Sequence, residues 1–190
     1  LGISLRIDSL NFDNLWYDEI ISFWVASPEH SLLQSYNLHK NIEIAPFTFN
    51  LILKYFYELF GYDVSYARIL PGLFSILAII VVFYISKEIN KDNSFLLSTF
   101  LIAFNIFLIS YAQEQRVYSL LIFFSLTSIL FFLKSLKINP KNKDLFLFFI
   151  FSLILLLLHL FSVFILFSFI IFLFLRFCVF KEIFIKLKSV

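Results

Sequence analysis

From about residue 66 to about residue 180 the chain is a succession of long apolar runs joined by short polar links, and this pattern limits the fold more than any motif does. A helix needs roughly 20 apolar residues to cross a bilayer. The stretch 66–86 is apolar apart from Arg68 near its start and supplies a first span. Further spans are expected at about 94–110 and about 117–133. Residues 145–180 form one apolar run interrupted by His159 and Arg176. As a single helix it would be about 54 Å long against a hydrocarbon core of roughly 30 Å. Two spans are therefore expected, at about 145–158 and about 161–180, turning near His159 and Ser162. Composition agrees, since a 190-residue chain that is 61% hydrophobic, with 29 Phe, lacks the polar surface to cover a water-soluble core. The fold class expected is all-α: a polytopic transmembrane helical protein of about five spans over residues 64–190.

Residues 1–63 differ. The segment 8–63 holds Asp8, Asp13, Asp18, Glu19, Glu29, Glu43, Glu58 and Asp63 and contains no run of spanning length, so it reads as an extramembrane region. Two short helices are expected in it. One starts near Asp18 and is stopped by Ser27-Pro28. The other places Phe47, Leu51, Ile52, Tyr55, Phe56, Leu59 and Phe60 on one face and Asn50, Lys54 and Glu58 on another, with Gly61 as its stop. Amphipathic helices of this kind lie in the membrane interface, apolar face towards lipid. Residues 1–7 suit the outer end of a helix whose body precedes them, and the absence of Met even at position 1 leads us to expect an upstream segment.

Orientation follows from the cations. The links at 87–93 and 134–143 and the tail from 176 carry ten of the fifteen Lys and Arg, which places them on the cytoplasmic side. Asp18, the Glu114 to Arg116 turn and His159 then share the non-cytoplasmic face. Net charge is only +2, and the cations form no stripe suited to nucleic acid. Cys178 is the single cysteine, so neither a disulfide nor a thiolate metal site can be built.

Few residues carry chemistry. Asp18 and Glu19 are adjacent, so on a helix their side chains diverge by about 100° and cannot address one atom. One is expected to work while the other braces or faces water. Asp18 reads equally as the cap of a helix, and Trp16 and Tyr17 as an interfacial aromatic belt. Glu114 and Arg116 border apolar helices, where ionisable groups are functional suspects, although a solvated turn would look the same. Arg68 suits either a bound phosphate or a snorkelling cation. His159 suits either a ligand contact or a polar tip at a helix end. His30 and His39 have no ligand spacing, no metal motif is present, and only a hard divalent ion on Asp18, Glu19 and Glu114 is conceivable.

Taken in order, Leu15 to Glu19 (LWYDE), Pro46 to Gly61, Ala67-Arg68-Ile69-Leu70-Pro71 and Tyr111 to Tyr118 (YAQEQRVY), with His159 beyond, resemble the N-terminal half of the polytopic GT-C glycosyltransferases. That group includes protein O-mannosyltransferases and the aminoarabinose transferases of lipid A. The resemblance implies a GT-C-like fold and transfer of a sugar, with inversion, from a polyprenyl-phosphate donor to a protein, lipid or glycan acceptor. The reaction would run at the non-cytoplasmic face and needs no cofactor. It implies Asp18 as general base within an Asp18 and Glu19 catalytic pair, and Arg68, Glu114, Arg116, Tyr118, His159, Glu43 and Lys40 as candidates for holding substrate or the donor phosphate. Relatives commonly carry Lys or His before a Pro-Pro pair at the entry to the second interfacial helix. This chain has Ile44-Ala45-Pro46 there, which leaves Lys40 or His39 as substitutes. The competing expectations are a transporter or flippase of a lipid-linked anion, with its charges near the midplane on broken helices, and a non-catalytic membrane subunit.

Overall fold

The computed structural model describes residues 1–8, 10, 14–89, 94–137 and 139–188, and for residues 65, 94 and 179–188 the backbone only. Asp13 and the 90–93 part of the first basic link lie outside the described residues. Among the described residues the chain is all-helical, without a strand.

Among the described residues, the first 63 positions hold four helices: α1 (Ser4–Ile7), α2 (Tyr17–Val25), α3 (Leu32–Ile42) and α4 (Thr48–Phe60). Helix α2 ends at Ala26, just before Ser27-Pro28. Its entry is capped by Glu19 rather than by Asp18, because the Trp16 amide donates to Glu19 Oε2 at 3.3 Å. Helix α3 is an addition to the two helices expected here. Ser31 and Gln34 form a reciprocal capping box in which Gln34 N donates to Ser31 Oγ (3.3 Å) and Ser31 N to Gln34 Oε1 (2.7 Å). Gly61 closes α4 at φ +110°, a conformation open to glycine and strained for other residues.

Helix α4 also turns its polar line inward. Phe49, Leu53 and Tyr57 pack against the bundle together with buried Asn50 and Lys54, while Tyr55, Leu59 and Phe60 stay exposed. Lys54 is accommodated because Nζ donates to the Ser27 and His30 carbonyls at 2.8 and 2.6 Å, with Glu58 at 3.8 Å. One side chain thereby fastens the end of α2 to α4, and Tyr55, Leu59 and Phe60 are left facing outward.

The remaining helices form the bundle: α5 (Val64–Ile89), α6 (Ser94–Ala103), α7 (Ile106–Ala112), α8 (Tyr118–Ser135), α9 (Asn142–Leu158) and α10 (Ser162–Lys188). Helices α5 and α8 are long and apolar enough to cross a membrane, and α6 with α7 makes a third such element if the pair counts as one span. Ring contacts set the directions. Phe74 meets Phe123 and Phe124, and Glu88 pairs with Lys137, so α5 and α8 run in parallel. Phe132 meets Phe148, and Leu120 and Leu158 share the core, so α9 returns antiparallel to α8. The chain turns at His159 to Phe161, and α10 then runs beside α8 with Phe132 against Phe169.

The expected span at 94–110 is two helices bent by 54° at the Phe104 to Asn105 break. Asn105 caps α7 by accepting from Leu108 N, and Arg6 closes the other side of the break. Its guanidinium is fully buried and donates to Ile102 O (3.0 Å), Ala103 O (2.7 Å), Gly2 O (2.7 Å) and Ser75 Oγ (2.8 Å). A cation on the last carbonyls of α6 satisfies acceptors that the bend would leave unpaired. Residues 4–7 thus lie against α5 and α7 as one short turn. Gly72 permits the approach, since a Cβ there would meet Arg6 O at 3.2 Å.

These directions bring the start of α5, the α7 to α8 turn and the α9 to α10 turn to one end of the bundle, beneath α2 to α4. A buried apolar cluster, comprising Ala26, Phe49, Leu53, Tyr57, Ala67, Leu70, Val117, Leu120 and Leu158, lies at that end and joins α4 and the end of α2 to the bundle. Elsewhere the helices expose large apolar side chains such as Leu77, Phe100, Phe149, Phe164 and Phe174, as a lipid-facing surface does.

Candidate functional site

The two adjacent carboxylates of α2 point into different surroundings, as their divergence on a helix requires. Glu19 is fully buried. Its Oε1 accepts from Arg68 Nε (3.1 Å) and from the Gln115 amide (2.6 Å), and its Oε2 accepts from Arg68 Nη2 (2.8 Å) and Trp16 N. Arg68 is buried too, and also donates to Leu10 O at 2.7 Å. This two-bonded carboxylate–guanidinium pair joins α2, α5 and the turn before α8. Of the two roles left open for the adjacent acids, Glu19 takes that of a brace, and the Arg68 guanidinium is enclosed by Glu19 and backbone carbonyls rather than facing the open site.

Asp18 stays partly open, with 38% of its side chain exposed. Its partner is Arg116, whose Nη2 lies 3.8 Å from Asp18 Oδ2 while Nη1 donates to Asp18 O (3.2 Å), Ser22 Oγ (3.0 Å) and Glu43 Oε1 (3.0 Å). Arg116 therefore stands between two carboxylates, one on α2 and one at the residue that follows α3. Burial by itself would lower its pKa, but the hydrogen bond and charge of Glu43, and the charge of Asp18, more than offset this and raise it. The guanidinium is a permanent cation, and its Nε is buried without a hydrogen-bond partner.

Behind Arg116 lies a small cavity walled by Pro46, Phe49, Val117 and Leu158, with Glu43, Asn50, Arg116, Tyr118 and His159 as its polar lining. Its volume of about 30 Å³ leaves room for a water-sized group. Asn50 is almost wholly enclosed, and its Oδ1 has no hydrogen-bond partner. His159 ends α9, and its Nδ1 accepts from Phe161 N at 3.2 Å, which holds the ring at the turn. Tyr118 opens α8 with its ring against Tyr111.

Not every candidate arrives. Glu114 lies outside the cavity lining and accepts from Ser110 Oγ at 3.2 Å. Burial raises its carboxyl pKa and nearby Glu19 adds to this, while the Ser110 hydrogen bond and the charges of Arg116 and Arg68 work the other way. Lys40 is exposed on α3 and does not line the cavity. Among the described residues, no group of three or more His, Cys, Asp or Glu is placed to hold a metal ion. Asp18, Glu19 and Glu114 accordingly do not form a divalent-ion site.

His39, which the sequence offers as a substitute cation near Pro46, matters here for its packing. His39 is buried on α3; its Nε2 donates to Ala45 O (2.6 Å) and its Nδ1 accepts from Asn50 Nδ2 (2.9 Å), with Glu43 Oε2 at 3.5 Å. It fixes Asn50 and the chain entering Pro46 at once, while Glu43 is held by Arg116. The readable signal was the i, i+4 spacing of His39 and Glu43 behind the Ser31 capping box, since that spacing puts both on one face of a helix. No family model, curated protein or solved structure matches the chain.

Proposed function

We propose that the chain is a membrane glycosyltransferase that moves a sugar from a polyprenyl-phosphate donor to an acceptor hydroxyl, with inversion at the anomeric carbon. The observation that carries the reading is the placement of Arg116 between the open carboxylate of Asp18 and a polar cavity, on elements at the rim of an apolar bundle. A donor whose tail lies in lipid presents its phosphate at such a rim. Asp18 takes the acceptor's hydroxyl proton, and that oxygen bonds to the anomeric carbon. The carbon–oxygen bond to phosphate breaks, and its electron pair leaves with the polyprenyl phosphate. The developing positive charge on the sugar is countered by the carboxylate. Phosphate departs without protonation and needs a cation, for which Arg116 has its unpartnered Nε and, on exchange with Glu43, Nη1. Tyr118, Asn50 and His159 line the space behind. The basic links at the opposite end favour a non-cytoplasmic location for this rim.

A second reading has one observation in its favour: a broken helix with a buried cation, Arg6, is the kind of feature a transporter places at its substrate site. Here, however, Arg6 donates to three carbonyls and a hydroxyl, which commits its guanidinium to holding the break in place. The test is reconstitution of the full chain with polyprenyl-phosphate sugars. Formation of a glycosidic bond that disappears in Asp18→Asn supports the transferase. Flux of the lipid-linked substrate without bond formation supports the transporter.

A further inference from the structure

At the end of the bundle away from Asp18, the loop between α8 and α9 folds around a second, larger cavity of about 370 Å³. Lys134, Lys137, Lys141 and Lys143 line it with Asn139 and Asp144, and Phe131 and Leu147 form its apolar wall. The lysines are not equivalent. Lys137 is paired with Glu88 at 2.5 Å, and Lys134 lies over the Phe131 ring with Nζ 5.1 Å from its centroid. Lys141 and Lys143 are exposed and flank the first turn of α9, where the helix dipole also favours an anion. With Lys137 matched by Glu88, three lysines face a single carboxylate, Asp144, among the described residues, so this lining carries an excess of positive charge. Its apolar side continues along the hairpin through Phe131, which stacks on Phe151 at 5.6 Å.

A lysine-rich chamber with an aromatic wall running into the apolar part of a helix hairpin combines the two halves of one ligand. We propose that this cavity binds an anionic glycerophospholipid from the leaflet that meets the loop, with its phosphate on Lys141, Lys143 and Lys134 and its acyl chains along Phe131, Leu147 and Phe151. The volume takes a headgroup rather than a single ion, and the apolar wall distinguishes a lipid from free phosphate. Basic pockets at the membrane edge of helix pairs bind such headgroups through the same charge complementarity. The site does not depend on the chemistry assigned to Asp18.

The test uses the full chain in detergent, with phosphatidylglycerol, phosphatidylcholine or inorganic phosphate added separately. Lipid retention is read by native mass spectrometry and thermal midpoint by fluorescence. Wild type is expected to retain phosphatidylglycerol in preference to phosphatidylcholine and to gain thermal stability from it, the gain shrinking at high salt. Lys141→Gln with Lys143→Gln removes exposed charges, so the lipid-free midpoint should not move. The preference should fall about 30-fold, the loss expected for two surface lysines near an anionic headgroup. Equal retention of the two lipids, an unchanged preference in the double variant, or the same stabilisation by inorganic phosphate alone would overturn the lipid assignment.

Discussion

Glu19 and Asp18 occupy consecutive positions of α2, yet Glu19 is enclosed by Arg68, the Gln115 amide and the Trp16 amide, while Asp18 keeps an exposed carboxylate against Arg116. Each belongs to an ion pair that crosses from α2 to the bundle. The first is dry and saturated, so it can only hold the parts together. The second is partly wet, shared between two acids, and leaves one guanidinium nitrogen unengaged, so it can exchange partners. Neighbouring acids therefore divide the work of holding and reacting, and the division is set by which face of α2 meets Arg68.

The comparison can be broken most forcefully at the brace. Arg68→Ala strips the partner from a buried carboxylate, and losses of about 3–5 kcal/mol are typical for such a change. The thermal midpoint or detergent resistance should fall steeply, and the Glu19→Ala, Arg68→Ala double variant should lose less than the sum of the two singles. Additivity across that cycle would mean that the pair is not coupled. His39→Ala comes next, since it leaves the Asn50 amide and the Ala45 carbonyl without their partner, worth about 1–3 kcal/mol. A stability change within noise would show that the His39 contacts do not hold the cavity wall.

At the open pair the balance reverses. Arg116→Gln should cost only about 1 kcal/mol in stability, because partly exposed ion pairs contribute little, yet it should remove most transfer activity. Activity that survives in a folded Arg116→Gln protein would detach the cation from the chemistry. Glu114 gives the smallest and most pH-dependent effect. Its carboxyl is raised by burial, so the folded chain holds a proton that the unfolded chain releases first. The stability due to this group is full at low pH and is lost as pH rises through its elevated value. Glu114→Gln should therefore be relatively more stable than wild type at neutral pH, with the difference shrinking on acidification. Parallel stability curves for the two proteins would contradict the assigned environment.

How much of this the sequence discloses depends on the kind of signal involved. Gly61 as the stop of α4, the polar turn ahead of Tyr118 and the reversal near His159 all rest on local chemistry or on bilayer length, and each can be seen in the string of residues. The break at Phe104 to Asn105 is hidden because both sides of it are apolar, and what supports it, Arg6, comes from about a hundred residues away. The burial of Asn50 and Lys54 is concealed for a related reason. Polar residues at i, i+4 spacing read as a solvated stripe, and only the carbonyls of Ser27 and His30 and the His39 ring turn that stripe inward. Which of Asp18 and Glu19 stays open could not be read from adjacent positions, since the choice belongs to Arg68 and the Gln115 amide.

The most direct test is sugar transfer from a polyprenyl-phosphate donor by Asp18→Asn, normalised to the amount of folded protein and measured beside wild type. The account predicts a melting temperature within a degree or so of wild type, as expected for a partly exposed side chain, together with a loss of rate of about 100-fold or more, as expected when a general base is removed. A folded Asp18→Asn protein that transfers sugar at a near-normal rate would contradict it.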